Sequence, residues 1–175
     1  MSVTEARTAE GRPRLITPPF LLVMVANLAY FMSVGAMQPV VPRFVKGPLA
    51  SGEVAVGLTI GIFSLAAVIL RPWAGRLGDR KGRRLLLTAG GFVIAASLIG
   101  YVPANSLALL LAFRFLSGVG EAFFYVGAAS VINDLAPEER RGEALSYFSL
   151  SLFGGLALGP VMGEVVLEAA GFDAA

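Results

Sequence analysis

Neither cysteine nor histidine occurs anywhere in the 175 residues. That removes disulfide frameworks, Cys/His zinc sites, thiol nucleophiles and histidine bases in one step. Any proton chemistry must therefore run on carboxylates, tyrosines or basic side chains. Charge is scarce as well. Asp, Glu, Lys and Arg make up 15% of the chain, where a soluble domain carries roughly 25%. Hydrophobic residues fill 56%, and the mean hydropathy is +0.75. So few charges cannot coat a water-facing surface, which leaves lipid as the expected solvent for most of the exterior. The net charge of +2 is too mild to point to nucleic acid, and the composition calls for no cofactor and no metal.

Charge-free stretches organise what remains. A helix crosses the hydrocarbon core in about 20 apolar residues. Charged residues and one turn signal at Pro103-Ala104-Asn105-Ser106 divide the sequence into five such stretches. They predict spans at 20–41, 54–70, 85–102, 107–132 and 144–166, after a polar tail at residues 1–17. The uncharged run after Arg14 is too long for the roughly 7–15-residue core of a secretory signal, so it reads as a first span. The fold class expected is all-α, a polytopic transmembrane helix bundle over residues 18–175.

Orientation follows from where Lys and Arg fall in short connections. One side receives Arg7, Arg12 and Arg14, then Arg71, Arg76, Arg80, Lys81, Arg83 and Arg84, then Arg140 and Arg141. These are 11 of the 14 basic residues. The other side receives only Arg43 and Lys46. The N-terminus and the connections at 71–84 and 133–143 are therefore expected in the cytoplasm, and the chain in the cell membrane.

The second connection reads Gly75-Arg76-Leu77-Gly78-Asp79-Arg80-Lys81-Gly82-Arg83-Arg84-Leu85-Leu86. A positive-inside loop accounts for the bases. It does not account for a single acid among them, or for glycines at 75, 78 and 82. A buried carboxylate there can accept helix N-terminal amides while the arginines pair with neighbouring acids. The stretch resembles the cytoplasmic loop motif G-x-L-x-D-R-x-G-R-[RK]-x-L of the major facilitator superfamily, with every defined position filled. The resemblance implies that Gly75, Asp79, Arg80, Gly82 and Arg83 belong to an interdomain latch, with Asp134 as the acid paired with Arg83.

The similarity continues downstream. Arg114-Phe115-Leu116-Ser117-Gly118-Val119-Gly120 resembles the family's fourth-helix element R-x-x-x-G-x-G, and residues 134–142 resemble its loop before helix five. Gly155-Leu156-Ala157-Leu158-Gly159-Pro160-Val161-Met162-Gly163 resembles the G-x-x-x-G-P-x-x-G element of proton-coupled antiporters, although Glu164 replaces its final glycine. Glycines four apart also let another backbone approach closely, and Pro160 removes a helical hydrogen bond. Gly155, Gly159, Pro160 and Gly163 are therefore read as a packing device, with Gly57 and Gly61 as a similar face on span two.

Helical geometry selects candidate cavity residues independently. At about 100° per residue, Arg114, Ser117, Gly118, Glu121 and Tyr125 share one sector of span four. Asn27, Tyr30, Phe31, Val34 and Gln38 share a face of span one. A polar stripe cannot face hydrocarbon cheaply, since a central Arg, Lys or Asp costs about 2.5–3.5 kcal/mol on insertion scales. Both faces are expected to look into protein or a wet cavity, and the resemblance implies that these two helices line a solute path. Glu121 is the leading candidate for proton coupling, because a carboxylate withdrawn from water can exchange a proton. Arg114, Asn27, Tyr30, Gln38 and Tyr125 complete the set.

The resemblance implies a secondary active transporter of small solutes, coupled to protons, exporting by alternating access, and not an enzyme. Five spans are fewer than the twelve of a complete family member. The chain is therefore expected to be an N-terminal portion that works with a C-terminal half or a complementing chain. The alternative is a truncated or degenerate membrane module that transports nothing alone.

Overall fold

The computed structural model describes residues 14–170. Arg7 and Arg12 of the expected tail, and residues 171–175, lie outside the described residues. Five long helices account for nearly all of what is described: α1 (Pro18–Lys46), α2 (Glu53–Lys81), α3 (Arg83–Tyr101), α4 (Leu107–Leu135) and α5 (Arg141–Ala170). A short 3-10 turn, Glu138–Arg140, precedes α5. All five helices are long and apolar enough to cross a membrane.

Local chemistry sets the helix ends. The Thr17 hydroxyl accepts a hydrogen bond from the Phe20 amide at 3.4 Å, and Pro18 and Pro19 follow, where a missing amide proton does no harm. Ser106 caps α4 in the same way through the Leu109 amide. Between α2 and α3 the chain reverses at a single residue, Gly82, whose φ of 98° a side chain would resist. Leu15, expected in a polar tail, is instead fully buried beside the start of α1.

The helices outrun the expected spans. A helix of 29 residues, such as α2, is about 43 Å long against roughly 30 Å of hydrocarbon. Charge ends a hydrophobic stretch without ending a helix. The segment 71–81, expected as a connection, is thus the last third of α2. Arg76, Arg80 and Lys81 ride on its exposed end.

Packing pairs α1 with α5 and seats α4 between α2 and α3. Small residues make each seam. On α5, a Cβ at Gly155 would lie 2.6 Å from the Leu28 carbonyl oxygen, and one at Gly159 would lie 2.6 Å from Gly35 Cα on α1. Gly163 meets Ala36 of α1 in the same fashion, while Gly90, Gly120 and Gly127 join α3 to α4. Gly57 and Gly61 differ from expectation: nothing lies within 4 Å of a Cβ at either. They belong to an open face of α2. Leu22, Val25, Val54, Val68, Trp73, Phe92, Ile99, Phe115, Leu150, Phe153 and Val165 are all exposed. Apolar surface spread over every helix at this density is what a lipid-facing exterior requires.

Candidate functional site

Two buried charged side chains stand out among the described residues, Arg114 and Glu121, at 7% and 5% exposure. Both lie on α4 and they do not pair with each other. Glu121 pairs across the bundle with Arg71 of α2, whose Nη2 donates to Oε1 at 3.0 Å. The Arg71 guanidinium also rests 4.3 Å from the centre of the Tyr125 ring. A cation over a π face gains electrostatic stabilisation, most where water is excluded. Tyr30 of α1 closes the group from a third helix, stacked on Phe124 at 3.8 Å with the rings nearly parallel.

Sequence reading placed Arg71 in a cytoplasmic connection and so missed it as Glu121's partner. A signal was present. Apolar residues continue past it at helical spacing, at Trp73, Ala74 and Leu77, which marks a helix that has not ended.

Arg114 sits differently. Its guanidinium lies 5.8 Å from the Phe63 ring centre and 5.5 Å from that of Tyr101, and its Nε has no hydrogen-bond acceptor among the described residues. Gly118, one turn on, lets α4 press against the Phe63 carbonyl of α2, which brings that ring to Arg114. Arg114 and Gln38 line the same cavity of about 290 Å³, between α1, α2 and α4.

Asn27 takes another role. Its amide nitrogen donates to Ser151 Oγ at 2.7 Å and to the Phe148 carbonyl at 3.3 Å, tying α1 to α5. Near the other end of the same seam Glu164 accepts from Arg43 of α1. The residue that departs from the antiporter element therefore closes a helix contact.

Of the latch candidates, Arg83 and Asp134 are joined by an ion pair, and Arg83 also donates to the Ser130 carbonyl at 3.3 Å. Asp79 lies in the last turn of α2, exposed, and makes no hydrogen bond to a helix N-terminal amide among the described residues. Gly75 faces open space and Arg80 is exposed. The structure unites one pair from this group and leaves the α2 members on an open surface.

Residues 23–175 match the family model described as Major Facilitator Superfamily. The chain belongs to that superfamily. It is a multi-pass membrane protein of a transporter family, not an enzyme. Among relatives, it is 30% identical over 149 residues to "Multidrug resistance protein 1" of Bacillus subtilis (strain 168), covering 85% of this chain and 38% of that protein. It is 25% identical over 138 residues to "Quinolone resistance protein NorA" of Staphylococcus aureus, covering 79% of this chain and 35% of that one. The facilitator chain thus spans somewhat over a third of the length of these relatives.

Proposed function

We propose that this chain forms the first part of a proton-coupled secondary transporter that expels small solutes across the cytoplasmic membrane by alternating access. The observation that carries this reading is the Arg71–Glu121 pair, which joins α2 to α4 and whose carboxylate is 5% exposed. Ionisable groups at membrane depth are costly and are kept where a charge must move or be sensed. Ionised Glu121 ties α2 to α4. Once protonated, it no longer holds the guanidinium, and the tie is undone. Tyr125 on α4 and Tyr30 on α1 are the other titratable groups facing the site. Names of relatives that speak of multidrug and quinolone resistance support the direction of transport and a small-molecule solute. The test is solute flux by the full-length protein in liposomes under an imposed pH gradient. Glu121→Gln, which cannot titrate, is expected to lose the proton-linked component. Unchanged proton-linked flux would remove this assignment.

The open face of α2 supports a partner helix from a C-terminal half or a complementing chain. Gly75 and Asp79 would be its contact points, with Arg83–Asp134 bracing the base of the latch. The alternative, a truncated or degenerate module, would move nothing on its own.

The distribution of Lys and Arg supports a cytoplasmic N-terminus and a cytoplasmic α2–α3 reversal. Because the chain is free of cysteine, Arg80→Cys supplies a unique label site. It is expected to react with a membrane-impermeant maleimide only after cells are opened. Labelling of intact cells would reverse the orientation.

A further inference from the structure

We propose that the cavity around Arg114 is a recognition site for an organic anion, a carboxylate carried on a small aromatic body. The inference rests on the reading that α1 and α4 line a solute path, and it assigns the chemistry of one part of that path. Arg114 is more than nine-tenths buried, yet no carboxylate and no hydrogen-bond acceptor reaches it among the described residues. The other buried charge, Glu121, has Arg71, and near the same end of the bundle Arg43 has Glu164 and Lys46 has Glu53.

Aromatic faces hold the Arg114 charge without neutralising it. A buried guanidinium that lacks a counter-ion is strongly destabilised relative to one that has one, so an incoming anion is favoured in proportion. Its planar fork matches a carboxylate with two parallel hydrogen bonds. The rest of the cavity selects the body of the ligand. Val34, Met37 and Ile60 supply apolar wall, Phe63 a ring to stack on, and Gln38 and Ser64 polar groups at the exposed mouth. Its volume of about 290 Å³ lies at the small end of the roughly 300–1,000 Å³ of ligand pockets. Arg114 also lies two turns from Glu121, so one helix presents a site for the solute's charge and a separate one for the proton.

The test is equilibrium binding of 1-naphthoate and of uncharged 1-naphthamide to the full-length protein in phosphatidylcholine nanodiscs. Naphthoate is expected to bind about tenfold or more tightly than the amide, and Arg114→Gln to erase that difference while Arg114→Lys keeps part of it. Ile60→Trp fills the cavity from its exposed mouth without touching the buried charge, and is expected to weaken both probes. Equal affinity for the two probes, or naphthoate binding unaffected by Ile60→Trp, overturns the proposal. Loss of naphthoate binding when phosphatidylglycerol is added assigns the site to a lipid headgroup and overturns it too. Naphthoate binding is read at equilibrium with no proton gradient, so it does not draw on proton-linked flux. Failure of proton-linked flux with naphthoate selectivity intact would therefore count against the transport mechanism and not against the anion site.

Discussion

Gly159→Leu is expected to prevent α5 from docking on α1, with loss of monodisperse protein in mild detergent and a destabilisation of about 3 kcal/mol or more. The reason is what the new side chain would meet. Its Cβ would fall 2.6 Å from Gly35 Cα and close to the Met32 carbonyl oxygen, both main-chain atoms that cannot rotate aside. Lipid tails are as apolar as leucine, so helices in a bilayer gain little from hiding apolar surface and depend on close packing and hydrogen bonds. Losing close approach on the α1–α5 seam removes much of what holds α5, including the geometry of the Asn27–Ser151 bond. Gly91→Ala is the matched control, since nothing lies within 4 Å of a Cβ there. Thermal or SDS-induced unfolding of the two variants decides the matter. Equal stability of Gly159→Leu and the parent would mean that the seam is looser than described.

The second large effect concerns Arg71 and Glu121, and it should be asymmetric. Arg71→Gln leaves an acid at 7% side-chain exposure without its counter-charge, whereas Glu121→Gln leaves an arginine that is 40% exposed and still rests on the Tyr125 ring. Removing one partner of a fully buried pair costs about 3–5 kcal/mol, and an exposed pair contributes at most about 1 kcal/mol. With one side half exposed, Arg71→Gln is expected to cost about 2 kcal/mol, between those limits. Glu121→Gln should cost less, and the double variant should recover part of the loss. A double-mutant cycle read by SDS unfolding measures the coupling. Additive single effects would show that the two residues do not act as a pair.

Much of the bundle was legible in the chain because a bilayer imposes a simple rule on sequence. Backbone groups must be satisfied internally and side chains must be apolar for about 20 residues, so five charge-poor runs announce five helices. The facilitator resemblance was legible for a related reason. Gly82 has to adopt a backbone angle that few residues accept, and the closely spaced glycines of α5 have to let a backbone through, so both requirements act on residue type. At Gly57 and Gly61 the same pattern meets no helix among the described residues and faces open space. A glycine pattern states what an approaching backbone could do, not whether one arrives.

Helix ends and partners were less legible. Arg71 was assigned to a connection because charge was taken as the end of a span, while helix hydrogen bonding is indifferent to charge and α2 continues to Lys81. Glu164 looked like a flaw in a glycine element until Arg43 stood beside it. Asn27 lay on the face expected to line a path, and which helix its amide nitrogen reaches, α5 through Ser151 and Phe148, could not be read from that face.

What the sequence by itself determined, then, is the solvent, the number of helices and the residue types available for chemistry, because each depends on composition along a single segment. Which charge neutralises which was decided only by tertiary structure. Arg71 is 50 residues from Glu121, and Arg43 is 121 residues from Glu164. Pairings across that distance depend on helix rotation and on which seams of small residues close, and neither is written in any one helix.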